Sequence, residues 1–388
     1  MFPADVLSRI KELLSHDIHP LLFNQFLRMA ERPQFDVPDG KAAKVSIIDS
    51  SLRLSGMPVT HIMKPAMKGL DAMPTLTTWS FLVESPSGKK AIFGLGVPKE
   101  PLKNFSPKSA DTIRRNSNWD VDVPKNVAEI LAENNVQPSE IDSVIWSHHH
   151  FDHIGDMTTF PGSTNLIVGP GFKKAFLPGY PADPDSPVRE VDFEDRELKE
   201  INFDDKPLQI GPFRAFDFFG DSSFYLLDTP GHDIGHLAGL ARTTTGPDTF
   251  IFMGGDLCHH GGELRPSKYL PYPSNLSGHL SLSDSLRLHL SQCPGSAFDN
   301  MNVKRGRAAG ETFFDPAIGF DKELAIKTIK EAQKADAQDN IFFVFAHDMT
   351  MFGVIDTFPK QANDWKEKGW KEKTLWKFLN DFEAALTS

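Results

Sequence analysis

Residues 147–155 read Ser-His-His-His-Phe-Asp-His-Ile-Gly, directly after a short apolar run from Ile141 to Trp146. That run has the length and bulk of a strand, so the histidines stand where a strand gives way to a turn. Within the stretch, His148, His150, Asp152 and His153 spell His-x-His-x-Asp-His. Imidazole and carboxylate are side chains that take zinc or iron directly. On extended chain, residues i and i+2 point the same way, so His148 and His150 can grip one cation. Asp152 and His153, past the turn, can face a second. Three adjacent histidines are a common accident in a solvated loop, but this cluster is internal, follows a strand and contains an Asp-His pair.

Further ligand-type residues follow, each just past an apolar run. Leu227-Asp-Thr-Pro-Gly-His232 leads into Asp-Ile-Gly-His236, Phe250-Ile-Phe-Met-Gly-Gly ends in Asp256, and Ile341-Phe-Phe-Val-Phe-Ala ends in His347. In this order the set resembles the metallo-β-lactamase superfamily of dinuclear metal hydrolases, over roughly residues 45 to 350. The resemblance implies His148, His150 and His232 on a first metal, Asp152, His153 and His347 on a second, and Asp256 bridging both. It also implies an α/β fold, the αββα sandwich of two mixed sheets flanked by helices. The cofactors it implies are two divalent ions, Zn2+ first, with Fe, Mn or Co also compatible with these donors. The chemistry is hydrolysis by a metal-bridging hydroxide, with Asp152 as ligand and as the hydrogen-bond partner that orients the hydroxide. Two cations ~3.5–4 Å apart can share one water, lower its pKa and polarise a carbonyl. A complete ligand set argues against a metal-free scaffold module or a mononuclear iron dioxygenase.

Among branches of the superfamily, the motifs look most like those of lactonases that open acyl-homoserine lactones, which makes a small lactone the expected substrate. A lactamase acting on cyclic amides or carbamates (benzoxazolinone-like) and a glyoxalase II-like thioesterase are the alternatives. The latter has only Arg265 to Lys268 as a candidate basic mouth. The lactonases carry a tyrosine three residues after the bridging aspartate, whereas this chain reads Asp256-Leu-Cys-His259. His259 is therefore a catalytic candidate beside Asp152, to donate a proton, orient substrate or simply pack. Tyr269 and Tyr272 are other candidates for that role. Phe151, Met157, Phe160, Met349, Met351 and Phe352 crowd the motifs, either as core or as an apolar pocket for an acyl or aromatic group. His149 is expected to face away from the metals, and His236 to orient its loop. Asp228 either accepts from a ligand imidazole or serves a turn.

Composition sets outer limits. The chain has 388 residues and a formal net charge of −11, without the basic footprint a nucleic-acid substrate requires. Two cysteines, Cys258 and Cys293, make no disulfide framework. With no basic-then-apolar leader and no 18-residue apolar run, a cytoplasmic protein with no membrane contact is expected. The partner is a small molecule with an apolar or aromatic part. The domains expected are a helical extension over 1–40 and a catalytic domain over 41–388 with an insertion near 257–320. Helical spacing over residues 4–30 (Val6, Ile10, Leu13, Leu14) leaves a homodimer open. Strands are expected at Lys44–Leu54, Thr75–Glu84, Lys90–Val97, Phe213–Phe219, Ser223–Asp228, Ala238–Thr243 and Thr249–Met253. Helices are expected at Pro124–Asn134, Ser283–Gln292, Asp321–Lys334 and, as an exposed surface element, Trp365–Leu386. Residues 178–205 read as a surface excursion.

Overall fold

The computed structural model describes residues 33–386, apart from 206, 274–275, 277–279 and 281–293. The expected N-terminal helical leader and the helix at Ser283–Gln292 lie outside the described residues. Residues 33–43 carry no helix, and Phe35 and Val37 pack beneath the second sheet.

Two six-stranded sheets form the frame. The first contains β1 (Lys44–Asp49), β2 (Trp79–Glu84), β3 (Lys90–Phe93), β4 (Ser143–Ile145), β5 (Asn165–Val168) and β6 (Leu198–Glu200), paired in that order. Its first three strands are antiparallel neighbours and the rest run parallel. The second contains β7 (Leu208–Ile210), β8 (Phe213–Asp217), β9 (Phe224–Asp228), β10 (Leu237–Thr244), β11 (Thr249–Met253) and β12 (Ile341–Val344), antiparallel until β12 joins β11 in parallel.

Strand periodicity of two sorts the side chains into three cores. Val45, Ile47, Phe81, Phe93, Ile145 and Ile167 of the first sheet meet Phe224, Leu226, Ile251, Met253, Phe342 and Val344 of the second. Their alternates point outward. Leu82, Ile92, Val144 and Leu166 pack with Val127 and Leu131 of the helix Val127–Glu133. Leu240, Phe252, Ile341 and Phe343 pack with Ile329, Ala332 and Ala335 of the helix Lys322–Asp336. This is the expected αββα sandwich, buried on both faces of both sheets.

Several boundaries moved for local reasons. The first expected strand splits where Ser51 takes φ 67, and Arg53–Ser55 pairs instead with Asp120–Asp122. The third stops at Phe93 because Gly94 and Gly96 adopt positive φ of 72 and 66. The 178–205 stretch is not wholly a surface excursion, since Val188, Asp192, Ile201 and Phe203 are buried and β6 closes the edge of the first sheet. The largest correction concerns the C-terminus. The expected exposed helix is broken into Trp370–Thr374, the 3-10 segment Lys377–Phe382 and Glu383–Leu386. Its repeat is an anchor: Trp365 and Trp370 pack on Phe342 between the sheets, and Lys371 Nζ donates to the carbonyls of Asp336, Gln338 and Ile341.

The insertion after Asp256 returns to the body in two ways. Asp315–Pro316 pairs with Met63–Lys64, forming a small ribbon. Arg265, following the short helix Gly261–Leu264, makes a bidentate pair with Asp336 at 2.8 and 2.6 Å, both side chains buried. Removing one partner strands a buried charge. Asp336→Ala is accordingly expected to lower unfolding stability by about 3–5 kcal/mol, measured by denaturant titration. A change below about 1 kcal/mol would show the pair to be solvent-relaxed.

Candidate active site

All the sequence-derived ligand residues converge at one end of the sandwich. His148 follows β4, His150 caps the turn Phe151–Ile154 that carries Asp152 and His153, His232 follows β9, Asp256 follows β11 and His347 follows β12. Strand ends thus deliver every donor to loops that a rigid sheet holds in place.

The seven candidate donors fall into two groups that share Asp256, and a third group, His149, His150 and Asp233, lies beside the first. In the first, His150 Nδ1 lies 3.0 Å from His232 Nε2, while His148 Nε2 and His232 Nε2 lie 3.6 and 3.5 Å from Asp256 Oδ2. In the second, His153 Nε2 and His347 Nε2 lie 2.9 and 3.2 Å from Asp256 Oδ1, and His347 Nε2 lies 3.3 Å from Asp152 Oδ2. Each oxygen of Asp256 therefore faces a different group. Donors tetrahedrally arranged about zinc at ~2.0–2.1 Å stand roughly 3.3 Å apart, and these spacings bracket that value. His148 Nε2, His153 Nε2 and Asp256 Oδ1 are buried and have no hydrogen-bond partner. Such orphaned atoms converging on common points fit two cations.

Protonation agrees. Burial and neighbouring imidazoles hold His148 and His232 well below the ordinary histidine range, so both are neutral and ligand-competent at pH 7. Burial opposes ionisation of Asp256, but His153 and His347 outweigh it and keep the carboxylate charged.

A supporting layer fixes the ligand rings. Ser147 Oγ meets His148 Nδ1 at 3.1 Å and His153 Nδ1 at 3.3 Å, and His347 Nδ1 donates to the Thr77 carbonyl at 2.7 Å. His236 orients its loop as expected: Nδ1 donates to the Thr229 carbonyl, and Nε2 accepts from the Asp256 amide at 3.1 Å. Gly255 is required beside it, since a Cβ there would lie 2.9 Å from His236 Nε2 and its φ is +54. His149 bonds Asp233 through Nδ1 and packs on Phe176, whereas Asp228 pairs with Arg214 and touches no ligand.

The sequence model of the metallo-beta-lactamase superfamily matches residues 74–246. Gamma-lactamase FDB1 of Fusarium pseudograminearum (strain CS3096) is 40% identical over 361 residues, spanning 90% of this chain and 85% of that protein. The chain belongs to the metallo-β-lactamase superfamily. Metallo-hydrolase mfmC of Annulohypoxylon moriforme is likewise 40% identical, over 91% of each protein. The solved structure of a quorum-quenching N-acyl homoserine lactone hydrolase superposes with TM-score 0.52 at 18% identity, over 84% of this chain and 100% of that one, a likeness of fold. The protein is a metal-dependent hydrolase of this superfamily, and its His and Asp groups could hold divalent metal ions.

As a member of the superfamily, its departures lie around the cavity of about 460 Å³ that opens onto the donors. His259 lines this cavity, with Nε2 at 3.5 Å from Asp256 Oδ2 and Nδ1 at 3.4 Å from Glu263 Oε2. Burial disfavours its charge, yet the two carboxylates push its pKa up to about 10. Glu263, missed in the sequence, is buried and also accepts from the His259 amide at 2.6 Å. Its place four residues on, within a Gly-Gly-Glu turn, was the available signal. Neither tyrosine lines the cavity: Tyr272 packs between Phe298 and Trp376, and Tyr269 borders a separate cleft. Of the aromatic and sulfur side chains near the motifs, only Phe151 lines the cavity; Met157, Phe160 and Met351 are core. The apolar wall comes from residues with no motif: Met57, Ile62, Leu76, Trp119, Ile318 and Phe320.

His347→Ala removes a donor from one group only, whereas Asp256→Ala removes one from both. Elemental analysis of zinc-loaded, desalted protein is expected to give about one ion per chain for the former and none for the latter. Equal zinc in both variants would contradict a bridge.

Proposed function

We propose that the protein opens a small five-membered cyclic amide or carbamate by hydrolysis. Two divalent ions, most readily zinc, would generate a nucleophile from water at neutral pH and polarise the ring carbonyl. His148, His150 and His232 would hold one, Asp152, His153 and His347 the other, with Asp256 between them. The protein's own part is orientation and proton delivery. Water adds to the carbonyl carbon, the C–N bond breaks, and the leaving nitrogen takes a proton. Amide nitrogen is a poor leaving group without that proton, so the donor matters more for a lactam than for an ester. Asp152, exposed to the cavity, accepts a hydrogen bond from the attacking water. His259, outside both donor groups, faces the Asp256 carboxylate with Nε2 3.5 Å from Oδ2, and Glu263 holds it from behind.

The observation that carries this reading is an imidazole, backed by a carboxylate, standing where a homoserine lactonase would carry a tyrosine. The curated gamma-lactamase at 40% identity supports it. A lactone remains the second reading, favoured by the apolar wall, which suits an acyl chain as well as an aromatic ring. A thioesterase is disfavoured: Arg265 is buried against Asp336, and Lys268 borders the other cleft.

A pH-indicator panel on zinc-loaded protein separates the readings. Benzoxazolinone and γ-lactams are expected to be turned over faster than homoserine lactones or a glutathione thioester. In His259→Ala, both metals should be retained and kcat on the lactam should fall about 10²-fold or more, while any lactone turnover changes far less. Unchanged lactam turnover in that variant removes His259 from the mechanism. Lactone-only turnover by the wild type would restore the lactonase reading.

A further inference from the structure

Among the described residues, Phe320 is the most exposed large apolar side chain, at 73% of its full surface. It is not on a remote loop: it lines the mouth of the metal cavity. A lone exposed phenylalanine at a functional opening calls for a reason, since burying an aromatic ring is among the larger favourable terms available.

The backbone around Phe320 cannot relax away. Its amide donates to the His232 carbonyl and the next amide, of Asp321, donates to the Gly231 carbonyl, both at 2.9 Å. Two glycines make this approach possible. Gly231 has φ +125 and a Cβ there would lie 2.3 Å from the Ala325 nitrogen, and Gly319 has φ +133, a conformation that side chains rarely adopt. The insertion is thus stitched to the loop of a metal ligand, and the stitch presents Phe320 to the opening. Also lining the cavity is a flat surface: Trp119 stacks on Phe151 with centroids 6.1 Å apart and planes 28° apart. Phe151 lies between His150 and Asp152, so this surface is fixed to the donors as well.

We propose that Phe320 is a specificity-determining residue that covers a planar apolar portion of the substrate, an aryl ring fused to the five-membered ring that is opened. The identity of the ring rests on the function proposed above; the contact itself does not. The aryl group would leave water for Phe320, Trp119 and Phe151, while the scissile carbonyl reaches the donors. Because the Phe320 side chain is mostly solvated, truncating it leaves the core untouched.

Two measurements on wild type, Phe320→Ala and Phe320→Leu test this. The first is binding by the purified protein of 2-indanone, an aryl-fused five-membered ketone with no hydrolysable bond, against cyclopentanone. Phe320→Ala is expected to weaken 2-indanone binding roughly tenfold, the worth of one aromatic contact, with Phe320→Leu intermediate and cyclopentanone unaffected. The second is the kinetics of benzoxazolinone against 2-oxazolidinone in zinc-loaded enzyme, where KM should rise for the fused ring only. Loss of 2-indanone discrimination with no turnover of either ring would retain the clamp and overturn the ring assignment. Equal 2-indanone binding by wild type and Phe320→Ala, or none by the wild type, overturns the clamp whatever the turnover. A changed oligomeric state with unchanged binding would assign Phe320 to a subunit interface, and overturns it too.

Discussion

The carboxylate of Asp256 is the constraint on which the site depends. It is buried, charged and flanked on each oxygen by imidazoles, of which His148 and His153 face it with an Nε2 that has no hydrogen-bond partner. A polar assembly of this kind inside a protein is costly unless something positive is shared between its members. Two cations would meet that need and convert the cost into affinity. Everything that touches Asp256 serves its placement: the His236 ring accepts from its amide, Gly255 leaves room for that ring, and β11 delivers it from between two cores.

The sandwich explains why such a site can be held. Alternation along β1 to β12 gives each sheet two apolar faces, so the strands cannot slip without exposing one of them. Their ends are then fixed, and the loops beyond inherit that precision. The chain uses this end of the frame twice. The donors come from loops after β4, β9, β11 and β12, while residues 57–76 and the insertion at 311–320 build the apolar side of the cavity, joined by the Met63–Lys64 ribbon with Asp315–Pro316. No helix among the described residues is long and apolar enough to cross a membrane.

The convergence of the candidate donors was legible because each is a rare residue type at a strand end, a pattern that local sequence records directly. The same holds for the strands, whose two-residue period survives in Val45, Ile47 and their neighbours. What was not legible depends on distance. Glu263 means nothing until the turn after Asp256 brings it behind His259. Trp119, Met57 and Phe320 are ordinary apolar residues until three separate segments meet over the cavity. The Trp-Lys-Glu-Lys repeat near 365–373 reads as a solvated face, yet residues 363–369 form turns, Gly369 at φ 63 precedes the helix Trp370–Thr374, and both tryptophans pack in the core. Lys371 is buried where three carbonyls, of Asp336 at a helix end, Gln338 in the following loop and Ile341 at the start of β12, accept from it, which no local pattern announces.

The most direct test of the two-cation centre is native mass spectrometry of the wild-type protein titrated with zinc at neutral pH. The geometry requires saturation at two ions per chain, with hydrolytic activity appearing only in protein that carries metal. Saturation at one ion, or activity undiminished in protein stripped of metal, would contradict it.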